Sequence, residues 1–455
     1  MRRFLLPLAL TLNACMPTTP TDTATRAAIA NSTFPPMKTF GAPRPVRPAK
    51  SNNDLALDFV ELSFNLESGR ALPVFTRFET PISVRVTGAP PASLGSDLNK
   101  LLHRLRSEAS IDIQQTASNK PANITIEAVS RADIRRALPH AACFVVPNIT
   151  SIKEYRQAKR TSRTSWAEMR ERKQLAIFLP NDASPQEVRD CLHEELAQAI
   201  GPLNDLYRLP DSVFNDDNVH TVLTGFDMMM LKAYYAPEIR SGMTRGQVAQ
   251  RLPQIFNRIN PAGGARAAKF ATRTPRAWSQ AVQSALGPGT AMKARLVAAD
   301  KALNIAAAMG WQDHRRAFAH YAKGRILLGS DPEAAYQHFL MADKYYAKTP
   351  GATLHRAYVA TQLAARAVTQ GDGERALRLI SPHIDKAAQN ENAALLSTLL
   401  LLRAEALDLQ GRTAEARTVR LDSLGWARYG FGPDWAVRAK LREISSLSPL
   451  KKGRI

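Results

Sequence analysis

The sequence is poor in cysteine, with three among its 455 residues, at Cys15, Cys143 and Cys191. After its first residues it also lacks any apolar run long enough to cross a membrane as a helix, which excludes a multi-spanning membrane protein. It contains no G-x-S-x-G sequence, no phosphate-binding P-loop and no G-x-G-x-x-G after a strand. These absences argue against the common serine hydrolases and nucleotide-binding folds.

Acidic residues are also in short supply. The chain has 61 Lys and Arg against 40 Asp and Glu, a formal net charge of +21. The basic residues are spread along the whole chain, without the basic runs interleaved with aromatics that favour nucleic-acid binding, so we do not expect nucleic acid as a partner. In the cell envelope, such a charge would favour anionic lipid headgroups and acidic wall polymers.

Residues 1–14 are typical of a signal peptide. Arg2 and Arg3 precede a short apolar run, and the sequence Leu-Asn-Ala before Cys15 resembles a lipobox. Cys15 would then become the lipid-bearing first residue of the mature protein and connect it to the membrane. The alternative is an ordinary signal peptide that happens to contain a cysteine. Because Met16 is not Asp, we expect a lipid-anchored envelope protein that faces the periplasm, at the outer membrane.

The segment 15–53 is rich in Pro, Thr and Ala and shows no apolar periodicity, so we expect a lipidated cysteine followed by a disordered tether.

Export also affects what we expect of the two remaining cysteines. A pair in an oxidising compartment favours a disulfide between Cys143 and Cys191, with two buried free thiols as the alternative. The bridge would connect a strand-like segment to the start of a helix.

Residues 54–250 predict an α+β domain. A helix over 54–69 precedes a strand between Leu72 and Gly88, and strands and helices then follow one another up to the apolar strand LAIFLP. Ser184 followed by Pro185 and an acidic residue predicts the start of the next helix.

Residues 251–445 predict an all-α region of tetratricopeptide-like helical repeats, followed by a basic tail at 446–455. The alternative is an unrelated helical bundle. Three glycines recur about every 40 residues, and each is followed five positions later by an alanine that would let two helices pack closely. The pairs are Gly329 with Ala334, Gly371 with Ala376, and Gly411 with Ala416.

The most informative stretch is CLHEELAQAIGPLND, residues 191–205. It resembles the helix of zinc metallopeptidases of the zincin type, which carries HExxH and, in one subgroup, a following xxGxxH. There the histidines bind zinc, the Glu activates water, and the Gly lets the chain turn toward a third ligand. By the same resemblance, LAIFLP would border the cleft, and Ser212 to Asn215 would form the turn beneath the metal, with Phe214 in place of Met.

The residues at the metal-binding positions differ from that pattern. Glu194 and Gln198 stand where the two histidines belong, and Asn204 stands at the third ligand. Glu195 falls on the general base and Gly201 on the turn. Carboxamides are weak zinc ligands, and one carboxylate cannot replace two imidazoles.

The neighbouring residues do not restore the zinc motif. His193 does not, because Ala197 occupies its partner position. We therefore expect no cofactor and a domain that is not catalytic. A metal ion held by Glu194, Gln198 and Asn204 is the alternative. Carboxylates downstream would suit calcium better than zinc, at Asp205, Asp211, Asp216 and Asp217.

Residues 54–250 also resemble a family of proteobacterial envelope proteins catalogued as domain of unknown function 2927. The resemblance rests on Cys143, on CLHEELAQAIGPLND, on the SVFNDD turn and on LTGFDMMMLKAYYAPEIRSGM. It implies the cysteine pair and the envelope location, but it supplies no activity.

The sequence as a whole therefore predicts an envelope lipoprotein with a zincin-like, non-catalytic domain and a helical-repeat region that binds envelope proteins or peptides, in scaffolding or assembly. The alternative is a hydrolase of peptides or wall polymer with Glu195 as the general base.

Overall fold

The computed structural model describes residues 34–41, 43, 45–139 and 141–451. The predicted signal peptide at 1–14, the predicted lipidation at Cys15, the first part of the tether and the last four residues of the basic tail lie outside the described residues. Within the described ranges, no helix combines the length and the apolar character needed to cross a bilayer.

The first domain is built around a five-stranded mixed sheet. Its strands run in the order β2-β1-β3-β5-β4, with β4 antiparallel to β5 and the other neighbours parallel. The strands are β1 (Ile82–Gly88), β2 (Ile113–Gln115), β3 (Ile124–Val129), β4 (Phe144–Pro147) and β5 (Leu175–Pro180). The helices are α1 (Asn52–Ser63), α2 (Leu94–Ala109), α3 (Arg131–Ala137), α4 (Ile152–Ala158), α5 (Pro185–Ile200), α6 (Gly225–Tyr234) and α7 (Arg245–Ile259).

The strand LAIFLP, which is β5, does not border a cleft as the sequence comparison predicted. It lies inside the sheet between β3 and β4, and all six of its residues are buried. A strand covered on both faces carries a continuous apolar run, whereas an edge strand does not need one. The edge next to α5 is formed by β4 instead.

Three predicted boundaries shift. The helix predicted over 54–69 spans Asn52–Ser63 instead. The predicted strand from Leu72 begins only at Ile82, because the residues before it form an irregular segment. The predicted domain limit at 250 falls inside α7. The apolar face of α7, including Leu252 and Phe256, packs into the core of the first domain, so this domain continues to the end of the helix.

The rest of the described chain is helical. Consecutive helices are joined by short turns and pack in pairs, as helical hairpins do. They are α8 (Arg276–Leu286), α9 (Met292–Ala308), α10 (His314–Leu327), α11 (Pro332–Tyr346), α12 (Thr353–Thr369), α13 (Gly373–Gln389), α14 (Ala393–Leu409), α15 (Thr413–Phe431) and α16 (Asp434–Ser445).

Two of the three predicted repeat signatures have the predicted geometry. Gly371 and Gly411 adopt positive φ angles of 79° and 73° at the turns before α13 and α15. Ala376 and Ala416, five residues later, are fully buried where the paired helices meet. Glycine tolerates this left-handed conformation and a small side chain permits close helix packing.

The first signature is displaced by one residue. Ala335 is fully buried, whereas Ala334 is only partly so. The reason is the helix start: Asp331, the N-cap of α11, lies two residues after Gly329, so the turn is one residue longer than in the second repeat, where the N-cap directly follows the glycine. The buried alanine stands four residues after the N-cap in both repeats.

The described part of the predicted tether, residues 34–41, 43 and 45–53, packs against the folded protein. The Phe40 ring stacks on Trp426 with centroids 4.5 Å apart, and the Lys38 backbone N–H donates to the Gly425 carbonyl at 3.0 Å. For these residues the prediction of a disordered tether is wrong. The reason is that Phe40 buries its ring among side chains of α15 that are distant in sequence. We call the described residues 34–41, 43 and 45–50 the N-terminal strap.

Candidate functional site

Helix α5 carries the residues that the sequence comparison singled out. Ser184 caps its start by accepting a hydrogen bond from the Glu187 backbone N–H, and Pro185 occupies the first turn, as predicted. A disulfide between Cys143 and Cys191, with Cα atoms 5.9 Å apart, joins α5 to the residue just before β4. The predicted disulfide is confirmed, and it holds the edge strand against the middle of the helix.

Glu195, the predicted general base, points from α5 toward this edge strand. Its side chain is 5% exposed, and its carboxyl group accepts a hydrogen bond from the backbone N–H of Val145 in β4. Its Oε2 atom is buried and has no hydrogen-bond partner among the described residues. Burial, with the neighbouring Glu194 and Glu67, raises the pKa of Glu195 well above its usual range. These surroundings therefore favour the neutral form of the Glu195 carboxyl group.

The residues at the predicted metal-binding positions do not have the surroundings expected of metal ligands. The amide of Asn204 donates a hydrogen bond to the Glu61 carbonyl in α1 at 3.0 Å, and burial with nearby carboxyls raises the pKa of Glu194 to about 7. Gln198 is buried on the same helix. Within the described part of the chain, no three His, Cys, Asp or Glu residues are arranged to hold a metal ion. A metal on Glu194, Gln198 and Asn204 remains a prediction.

His193 faces away from that set. Its Nδ1 accepts a hydrogen bond at 3.0 Å from the backbone N–H of Leu223, just before α6. Burial lowers the pKa of this imidazole well below its usual value, which keeps it neutral and able to accept. His193 therefore fixes the entry to α6.

The SVFN turn predicted to lie beneath the site is anchored by Asp227 of α6. Ser212 Oγ donates to one Asp227 oxygen at 2.5 Å, and the Val213 backbone N–H donates to the other at 3.1 Å. Phe214 is buried in the core of the first domain. Asp227 also completes the capping box of α6 with Thr224. One carboxyl group therefore fixes both the turn and the start of the helix.

Carboxyl groups gather next to Glu194. Asp205, which follows the predicted third ligand, has a pKa raised well above its usual range by burial and by a set of carboxyl groups. These are Glu67, Glu194, Asp216 and Glu195. We call Glu67, Glu194, Glu195, Asp205 and Asp216 the carboxyl cluster. Sequence reasoning missed Glu67, because it lies 127 residues before Glu194 and in no motif.

The helical region packs against the same part of the first domain. Gln283 of α8 donates to Asp216 at 3.1 Å, and His314 of α10 donates to the Tyr207 carbonyl at 2.5 Å. Tyr207 donates in turn to Asp216 at 2.9 Å. The two regions therefore share a polar contact beside the carboxyl cluster.

A buried arginine, which sequence reasoning also missed, binds the C-terminal end of α5. Arg172 donates to the carbonyls of Gln198, Ala199 and Gly201 at 2.6–2.8 Å. The last carbonyls of a helix have no hydrogen-bond partner within the helix, and they form the negative pole of its dipole. The fully buried guanidinium of Arg172 donates hydrogen bonds to these carbonyls and places a positive charge at that pole. The turn after Gly201 is held in place by this contact.

Comparison with known proteins finds a family that is similar to part of the chain. Residues 52–254 match the family described as "Protein of unknown function (DUF2927)". This agrees with the resemblance seen in the sequence motifs, and it covers the first domain up to the middle of α7. No curated protein and no solved structure matches the chain.

Proposed function

We propose that the protein is an envelope lipoprotein in which a zincin-like domain has lost peptidase chemistry and the helical region binds peptide or protein segments. Its role would be scaffolding or assembly at the outer membrane, with the lipid on Cys15 as anchor. The observation that carries the loss of catalysis is the burial of Glu195. A carboxyl group that is 5% exposed and faces the backbone of β4 is poorly placed to take a proton from water.

The zincin-like assignment is supported by the order of elements. A mostly parallel sheet ends at one edge in the antiparallel strand β4, and α5 with Glu195 packs against that edge. The turn at Ser212 and helix α6 follow, in the order that the sequence comparison gave.

The binding role is supported by a crevice of the helical region with a volume of about 390 Å³. It lies between α11 and α12 and combines apolar and aromatic side chains with Arg366, whose guanidinium stacks over the Tyr336 ring at 4.3 Å. Leu328 at its border is 42% exposed. Exposed apolar surface next to aromatic and arginine side chains is typical of protein-binding sites.

The carboxyl cluster favours one other function, a hydrolase that works without a metal. A carboxyl group with a raised pKa, as Glu195 has beside further carboxyl groups, suits a general acid. Replacing Glu195 by Gln separates the two functions, because it removes the acid and preserves the shape.

The test compares variants in the native envelope. Crosslinked partners of the wild type are compared with those of Glu195→Gln, with Glu168→Gln, an exposed position, as control. We expect the same partners from all three and no metal in the purified protein by elemental analysis. Leu328→Glu should lose partners that Leu421→Glu, an exposed leucine on α15, retains. Loss of crosslinked partners in Glu195→Gln alone would contradict the proposal. Retention of every partner by Leu328→Glu would also contradict it.

The lipid anchor has its own test. Cells fed radiolabelled palmitate should label the wild type but not Cys15→Ala, and the label should fractionate with the outer membrane. An unlabelled wild type would show that the protein is not lipidated.

A further inference from the structure

A cavity of about 320 Å³ lies between the first domain and the segment that leads into α8. It is lined by residues of both charges. They include Glu67, Asn204, Asp205, Tyr207, Arg245 and Arg276. This volume is sufficient for an amino acid or a dipeptide.

The acidic side of the cavity is Glu67 and Asp205, with the rest of the carboxyl cluster behind them. None of the five groups forms an ion pair with a described residue, although the chain carries an excess of 21 positive charges. Oδ1 of Asp205 and Oε2 of Glu195 are buried and lack a hydrogen-bond donor among the described residues. Buried acceptors without donors are rare in folded proteins, so these two oxygens show that the hydrogen bonding of the carboxyl cluster is incomplete.

The basic side of the cavity consists of exposed arginines. Arg245 and Arg276 line it, and within the described residues neither forms an ion pair. Arg273 also lines it, but its guanidinium is bound to Glu61 at 2.5 Å. Apart from the ion pairs of Glu61, the cavity is therefore lined by carboxyl groups and by arginines that do not pair with one another.

We propose that this cavity binds an amino acid or short peptide through both of its terminal charges. The ammonium group would donate to Glu67 and Asp205, and the carboxylate would accept from Arg245 and Arg276. A purely cationic ligand would leave the arginines without a partner, and an anion would face the carboxyl cluster. The site is independent of the proposed binding crevice between α11 and α12, so each can fail without the other.

Calorimetric titration of the purified protein with L-alanyl-L-alanine tests the proposal. We expect a Kd of about 1 mM or tighter, and no binding of the N-acetylated dipeptide or of the dipeptide amide, each of which lacks one charge. Asp205→Asn and Arg276→Gln should each weaken binding by about 10-fold or more, because each loses a charged hydrogen bond.

The matched controls are Asp385→Asn and Arg417→Gln, two exposed positions on α13 and α15 that should bind like the wild type. A melting curve of each variant confirms folding, and Glu67→Gln at the exposed rim replaces Asp205→Asn if the latter does not fold. Absence of dipeptide binding, equal binding of a blocked dipeptide, or wild-type affinity in both cavity variants would overturn the proposal.

Discussion

The Nε2 atom of His355 lies 2.8 Å from Oδ2 of Asp217, and this bond connects helix α12 to the SVFNDD turn of the first domain. Both side chains are almost fully buried. The Asp217 carboxylate also accepts from the Asn215 amide at 2.7 Å and from the Val219 backbone N–H at 3.1 Å. The turn beneath the candidate site is therefore held by a residue that lies 138 positions later in the chain.

Replacing His355 by Ala should destabilise the whole protein. It leaves the buried Asp217 carboxylate without the hydrogen bond from His355, and removing one partner of a buried acceptor costs about 2 kcal/mol. Urea denaturation measures the change. His103→Ala, at an exposed position on α2, is the control and should have a free energy of unfolding within about 0.5 kcal/mol of the wild type. Equal stability of the two variants would show that the contact contributes little.

Reduction of the disulfide should lower the melting temperature. Closing the 48-residue loop between Cys143 and Cys191 contributes about 4 kcal/mol through the entropy of the unfolded chain. Thermal melts with and without a reductant measure the effect. The double variant Cys143→Ser, Cys191→Ser should melt at the lower temperature in both conditions. If the reductant leaves the melting temperature of the wild type unchanged, the bridge does not stabilise the fold.

Stability should fall as the pH rises from about 6.5 to about 8. Burial raises the pKa of Asp190 to about 8, and burial with nearby carboxyls raises that of Glu194 to about 7. Because these pKa values exceed those in the unfolded chain, the folded protein holds more protons, and stability is lost as the pH passes through the folded values. Buried histidines make stability rise with increasing pH, but only at lower pH. Burial lowers the pKa of His220 and His314 to about 4, so their effect ends near the unfolded value of about 6.5.

Melting temperatures across this pH interval measure the effect. Glu194→Gln should flatten the decline, whereas the exposed control Glu168→Gln should run parallel to the wild type. A melting temperature that rises over the interval would contradict the assignment of raised pKa values.

Gly201→Ala should destabilise the turn at the end of α5. A Cβ atom there would lie 2.4 Å from Cδ2 of Leu231 and 3.0 Å from the Ala197 carbonyl oxygen. Overpacking of this kind costs about 2 kcal/mol. The control is Gly95→Ala in the first turn of α2, where no atom lies within 4 Å of the added methyl group. That variant should be equal to the wild type or more stable by up to about 1 kcal/mol, because alanine favours helices. Denaturation curves distinguish the two.

Local sequence signals predicted most of the elements. Ser184 and Pro185 marked the start of α5, and the small residue at Ala376 marked a helix contact, because capping and close packing depend on residues a few positions apart. The cysteine pair could be predicted because only two cysteines remained after Cys15.

Contacts between distant segments could not be predicted. Phe40 lies in a proline-rich stretch that has the composition of a linker, and nothing nearby indicates that Trp426 covers it. Glu67 and Arg172 carry no motif, and they reach α5 only through the folding of the sheet. The position of β5 inside the sheet also depends on strand order, which periodicity does not report.

The N-terminal strap has a mechanical consequence. It runs from α15 past α6, where the Val46 carbonyl lies against Gly225, to the start of α1. The chain therefore passes over its own last helices before it enters the first domain. The two regions cannot swing apart about the segment before α8 unless the strap peels away as well, so a force applied at the N-terminal end of the strap acts first on α15. Under an applied force, we expect the two regions to move together until the strap detaches, and the strap should be the first segment to detach.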